Sequence, residues 1–288
     1  MPTITLGVPT LNGADRLRQA LESVAAWSEA ANGHRLKDMG VRVLVCDDGS
    51  REEDLRGNRG VIAQCAPRLP GLELLTNDER RGISKSWNRL ARDYGDSDVV
   101  ILMNDDFELV QHAIEAMVYA VRENPAVGVV GLNSYVSITR NQRAALFPGA
   151  LPHVLDRRVD YCESNLMDGG GSLLSAQGPC FAFRRDAFDL VGGFDERYFC
   201  YFEELDFACS LRRKGLHSFM ASYPLGYHQG GVTNTDTRNI DAAHQMKRSR
   251  ELFIEKWGKT PDGLREEFRA SYQRPALREW STQIQNWK

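Results

Sequence analysis

Five short apolar runs, set apart by stretches with helical spacing, constrain this chain more than any other feature. Ile4–Val8, Val41–Cys46, Leu72–Thr76, Val99–Met103 and Val127–Leu132 have strand length and β-branched character. Between them, Asp15–Trp27 places Leu17, Ala20, Leu21 and Val24 on one helical face. Ser84–Tyr94, with Ser84 as its cap, and Val110–Arg122, ended by Asn124-Pro125, also suit helices. Pro9 is expected to stop the first strand, and Asp47-Asp48-Gly49-Ser50 to turn the chain after the second. Such alternation predicts an α/β fold: a mostly parallel central sheet with helices on both faces.

The pattern weakens after the fifth strand. Residues 140–180, with Gly169-Gly170-Gly171, read as loops or a short hairpin over a cleft. Phe181–Phe183 reads as a further strand, Glu204–Lys214 as a helix and Ala242–Trp257 as a strongly amphipathic helix. The residues beyond it read as a peripheral appendage. At 288 residues and 42% hydrophobic, the chain can bury one large core with such an appendage.

Charge and cysteine usage exclude some classes. A net charge of −3 gives no global support for binding nucleic acid or a membrane, although Lys247, Arg248 and Arg250 leave a local basic patch open. Six cysteines without a Cys-x-x-Cys pair read as reduced thiols rather than a zinc site. The first residues lack the basic and apolar regions of a signal peptide, and no run reaches the ~20 apolar residues of a membrane span. A cytoplasmic protein, able to act on a membrane-borne substrate, is therefore expected.

Several clusters carry chemistry, each with a plainer alternative. Asp47 and Asp48 either face a nucleobase or ribose beyond the strand end, or simply make an Asp-Gly turn. Asn104-Asp105-Asp106 follows a buried strand and either ligates Mg²⁺ or Mn²⁺ on a diphosphate or caps the next helix. Arg80-Arg81-Gly82, Ser84 and Lys85 set cations and a glycine at a helix start, a phosphate site or a solvated basic loop. Glu203-Glu204-Leu205-Asp206 lies beside Tyr198, Phe199, Tyr201 and Phe202, where mutual repulsion and desolvation would raise a carboxyl pKa toward that of a general base. An exposed helix start is the alternative. His228, beside Gly230-Gly231, is either structural or a metal ligand. Neither Gly-x-x-x-x-Gly-Lys-Ser nor Gly-x-Gly-x-x-Gly occurs, which disfavours P-loop and dinucleotide-dependent enzymes.

In order and spacing these segments resemble the inverting, nucleotide-sugar-dependent glycosyltransferases of family 2, with the GT-A fold. Val8-Pro-Thr-Leu-Asn12, Val45-Cys-Asp-Asp-Gly-Ser50, Asn77 to Asn88, Asn104-Asp-Asp106, Gly192-Gly-Phe-Asp-Glu196 with Phe202-Glu-Glu-Leu-Asp206, and Tyr227-His-Gln-Gly-Gly231 carry the likeness over about residues 3–258. The resemblance implies that Thr10, Asp47 and Asp48 hold the nucleoside and that Arg81, Lys85 and Asn88 lie near the diphosphate. It implies Mn²⁺ or Mg²⁺ on Asp106 and His228, with Asp105 as a further candidate because Asn104 replaces the first acid of Asp-x-Asp. Glu204 takes the position of the base, with Glu203 and Asp206 as alternatives.

The implied donor is a nucleoside-diphosphate sugar of UDP or dTDP type, the transferred group a hexose or deoxyhexose, and the acceptor a saccharide or lipid-linked glycan. A hydroxylated DNA base is a rarer acceptor. The implied layout is a catalytic domain over residues 1–231, split near 135 into donor and acceptor halves, with a helical extension over 232–288. Two other classes compete. A sugar nucleotidyltransferase would need a cationic glycine loop, and Gly7 to Gly13 has no cation. An inactive nucleotide-sugar or glycan-binding module would need none of the acids.

Overall fold

The computed structural model describes residues 3–29, 39–93, 96–110, 112–136, 158–159, 161–163, 179–229, 241–271, 273, 275–278 and 280–281. Its first half runs β1 (Ile4–Thr10), α1 (Ala14–Glu29), β2 (Val41–Asp47), α2 (Glu52–Cys65), β3 (Glu73–Thr76), α3 (Ile83–Asp93), β4 (Val99–Met103), β5 (Phe107–Leu109), α4 (Ala113–Glu123) and β6 (Val127–Val136). Two short strands follow, β7 (Arg158–Val159) and β8 (Tyr161–Glu163). Then come β9 (Cys180–Arg184), α5 (Arg185–Val191), α6 (Glu203–Arg213), β10 (His217–His228), α7 (Ala242–Trp257), α8 (Pro261–Ala270) and β11 (Trp280–Ser281).

The central sheet has the order β3-β2-β1-β4-β9-β6-β10-β5, with β8 also on β10. The first four strands are parallel neighbours. Antiparallel β9 joins β4 to β6, and β10 returns parallel to β6. β7 and β11 form a separate two-stranded ribbon. Alternation of side chains along each strand builds the two layers. Ile4, Leu6, Val8, Val43, Val45, Val99, Ile101 and Met103 face α1, α2 and α4. Leu44, Cys46, Val100, Leu102, Phe181 and Phe183 face α3, α5 and α6. Each such side chain contributes roughly 1.5–3 kcal/mol on leaving water.

The strand and helix expectations over the N-terminal half hold, with adjustments. Pro9 does not stop β1, which continues to Thr10. The Thr10 carbonyl accepts the Asp48 N–H on the β2 side, so the nitrogen of Pro9 faces the β4 side. That ladder has already ended at Gly7–Leu102, and no hydrogen bond is lost there. Ser84 lies inside α3 rather than capping it, and its buried hydroxyl has no hydrogen-bond partner among the described residues. The segment over residues 140–180 lies mostly outside the described residues, Gly169 to Gly171 included.

Topology fixes where a site can form. From β1 the chain moves to β2 and β3 on one side, then crosses to β4 on the other. The crevice beyond the carboxyl ends of β1 and β4 is thus a topological switch point, where doubly wound sheets bind ligands. Thr10, Asp47 and Thr76 stand in register along that edge. β5 then pairs antiparallel with the end of β10, setting Phe107 opposite His228 and Leu109 opposite Gly226. At Gly226 a Cβ would overlap the ring of Phe107, which is fully buried. Gly226→Ala should therefore overpack this ladder and cost about 1–3 kcal/mol, measurable as a lower urea midpoint.

Candidate active site

Asn104, Asp105 and Asp106 occupy the turn between β4 and β5, and their carboxylates diverge. Asp105 turns inward across the switch point. It accepts the Thr10 hydroxyl at 2.7 Å and the Arg16 guanidinium at 3.3 Å. Burial pushes its carboxyl up to about 6, against the pull of Arg16 and Thr10. Asp106 faces the other way. Its Oδ1 lies 3.3 Å from Nε2 of His228, and its carbonyl accepts the Gln229 N–H at 3.0 Å. The β5–β10 ladder makes this meeting, joining two residues expected to share a metal. The His228 side chain retains 21% exposure and that of Asp106 8%, so the pair stays partly open to solvent.

A carboxylate and an imidazole this close fit a hard divalent ion such as Mn²⁺. Among the described residues no group of three or more His, Cys, Asp or Glu side chains could hold a metal. Asp105 accordingly stands apart from the pair. Such a pair would leave most positions of a bound Mg²⁺ or Mn²⁺ to water and substrate oxygens.

The expected nucleoside turn is held from within. Asp47 accepts the Ser50 N–H at 2.8 Å and the Asn58 amide at 2.6 Å. Asp48 accepts from Asn77 Nδ2, Arg81 N, Gly82 N and Ser86 Oγ at 2.8–3.0 Å. The free N–H groups before α3, expected to take phosphate, therefore already hold the chain's own carboxylate. The Ile83 N–H is likewise given to the Phe199 carbonyl. Gly82 (φ +89°) is required there, because a Cβ would sit 2.6 Å from that carbonyl oxygen. The side chains of Arg81 and Lys85 are exposed and make no ion pair among the described residues. Asn88 is buried, clamping the 193–196 turn through Phe194 N, Phe194 O and Glu196 at 2.8–2.9 Å.

The acidic run opens α6. Tyr201 (φ +67°) and Phe202 (φ +71°) precede it in the left-handed region, which costs bulky residues roughly 1–2 kcal/mol each. Phe202 is the N-cap residue and offers no side-chain hydrogen bond. Glu203 is 6% exposed. One carboxylate oxygen of Glu203 and one of Glu204 are buried without partners among the described residues. Burial raises both carboxyls above the ordinary value of 4.5, most strongly Glu203, which also faces the charge of Glu204. Asp206 is committed elsewhere: it accepts from Lys256 at 2.7 Å and from the Trp257 indole at 2.8 Å.

Several residues here escaped the sequence reading. Arg16 meets Asp105 from 89 positions away, and Lys256 meets Asp206 from 50, so no local spacing could announce them. Arg80, read from the sequence as part of a basic helix start, instead stacks over Phe199 at 5.0 Å, and its buried Nε has no partner among the described residues.

With the geometry in view, comparison with known proteins is informative. The family described as Glycosyl transferase family 2 matches residues 5–192. A curated relative, the N-acetylglucosaminyl-diphospho-decaprenol L-rhamnosyltransferase of Mycobacterium tuberculosis, is 28% identical over 237 residues, 74% of each chain. Among solved structures, the mannosyltransferase PcManGT from Pyrobaculum calidifontis, in complex with GDP-Man and Mn²⁺, has a TM-score of 0.58 at 19% identity. That likeness covers 94% of this chain and 69% of that one. S. aureus TarS 1-349 in complex with UDP has a TM-score of 0.55 at 15% identity, covering 89% and 72%. These structural likenesses support the fold.

The acidic pair gives a pH signature. A carboxyl whose folded pKa is raised adds stability fully present below its unfolded value, near 4.5, and lost as pH rises through its folded value. Glu203→Gln removes that loss. Relative to its own difference at pH 4.5, the variant should gain stability on wild type as pH rises to 8, read from urea midpoints.

Proposed function

The chain belongs to glycosyl transferase family 2, and we propose that it moves a sugar from a nucleoside-diphosphate donor to a hydroxyl of a saccharide or lipid-linked glycan, with inversion. The contact between Asp106 and His228 carries this reading. Asp106 and His228 would hold Mn²⁺ or Mg²⁺, which when bound neutralises charge gathering on the departing diphosphate. Arg81 and Lys85 would face the same phosphates. Thr10 would line the nucleoside side, while Asp47, Asp48 and Asn88 hold its loops in shape.

Glu204, less buried than Glu203, would take the acceptor's proton, since burial makes its carboxylate a stronger base than an exposed one. Attack from the face opposite the diphosphate inverts the anomeric carbon. A relative named for rhamnosyl transfer to a diphospho-decaprenol glycan favours a deoxyhexose and a lipid-linked acceptor. The described cysteines are free thiols, as in a reducing compartment, which favours action in the cytoplasm. No helix among the described residues is long and apolar enough to cross a membrane. Residues 1–231 would form the catalytic domain and 232–288 its helical extension.

The first test is thermal stability with UDP, dTDP, GDP or CDP, with and without Mn²⁺. A nucleotide at ~100 times its Kd should add ~2.7 kcal/mol to wild type, only with metal and not in Asp106→Ala. A metal-independent shift, or one retained in the variant, overturns the metal assignment. Glu204→Gln should keep the shift yet lose about 10²–10⁴ in turnover.

A further inference from the structure

We propose that α7 is a positioning element for the Glu203–Glu204 pair, holding the left-handed entry to α6 in the conformation that presents the two carboxyls. The inference rests on the proposed role of Glu204 as base.

α7 grips the segment on both sides of the pair. Before it, buried Ser249 donates to the Cys200 carbonyl at 2.7 Å. Phe253, fully buried, meets the ring of Phe202 at 5.7 Å. After it, Lys256 and Trp257 bind the two oxygens of Asp206. Lys256 also reaches Asp195 at 3.0 Å, in the turn that Asn88 clamps. The three holds thus fall on Cys200, Phe202 and Asp206, bracketing Glu203 and Glu204.

The entry needs such support. Tyr201 and Phe202 lie in a conformation bulky residues avoid, and Phe202 cannot cap the helix it starts. Strain of this kind persists only where surrounding structure over-determines it. Here the apolar surroundings come from a cluster of their own: Tyr198, Leu205 and Cys209 on the acidic segment, Phe253 on α7, and Leu264 and Phe268 on α8. Ser249, Phe253, Lys256 and Trp257 are therefore positioning residues, acting through Glu204 rather than on substrate.

The experiment compares Lys256→Met, Ser249→Ala and the conservative Lys256→Arg with wild type and Glu204→Gln, in the full chain and well below each melting temperature. Turnover is followed as nucleoside diphosphate released from UDP-glucose, dTDP-rhamnose or GDP-mannose with Mn²⁺. Amide hydrogen exchange at residues 203–206 is followed without substrate. Misplacing a catalytic group by about 1 Å can lower kcat on the order of a hundredfold. Lys256→Met is expected to approach that loss with donor KM unchanged, Ser249→Ala to lose about tenfold, and Lys256→Arg to recover part.

Exchange at residues 203–206 should quicken in Lys256→Met while that of β1 and β4 stays slow. Wild-type kcat in both Lys256→Met and Ser249→Ala, or unaltered exchange at residues 203–206, overturns the proposal. If Glu204→Gln turns over normally, the base reading itself has failed and this inference falls with it. If Glu204→Gln is inactive while the α7 variants match wild type, only the positioning role has failed.

Discussion

The Asp48 carboxylate is the interaction on which the sheet edge beyond β1 and β2 depends. Its four hydrogen bonds tie the end of β2 to Asn77, to the Arg81 and Gly82 amides and to Ser86 in α3. A buried carboxylate is tolerated only when donors surround it, and a helix start supplies donors with a favourable dipole. The loop bearing Arg80 and Arg81 is thereby fixed against the sheet edge. Gly82 then lets that loop meet the Phe199 carbonyl, which links it to the acidic half of the site. Since the helix start already holds an anion, a diphosphate bound as proposed would draw its countercharge from side chains such as Arg81 and Lys85 rather than from these amides.

A second constraint operates through the sheet. The Asp105–Asp106 turn sits at the switch point because β4 lies next to β1, and its two carboxylates part because one neighbour is Thr10 and the other is the end of β10. One acid is thus internal, paired with Arg16, and the other meets His228. Adjacent residues of one type acquire different jobs from the strands beside them.

The regular half was legible in the sequence because its signals are local. Val99–Met103 and Ala242–Trp257 appear with the expected bounds, since β-branched runs and helical spacing are read within one element. Glu52–Cys65 was missed: two glycines and a scatter of arginines leave few apolar positions for a helical stripe. His217–His228 was missed because Pro224 and Gly226 interrupt it, and the strand tolerates them through register shifts against β6. At the site, the acids and His228 were legible as residue types at strand and helix ends. Their partners were not: whether Asp48 meets a nucleoside or Gly82, and whether Asp206 is a base or the anchor of Lys256, depends on segments distant in the chain.

The third apolar cluster has a consequence of its own. The two larger clusters run through the strands and open only with the sheet. The third contains no strand residue; it joins the segment around α6 to α7 and α8. Such a unit can open as a foldon, below the free energy of global unfolding. Opening releases the acidic pair while Asp106, His228 and the parallel strands remain in place. Warming would populate this opened form, with the sheet intact and the entry to α6 released, before the sheet itself gives way.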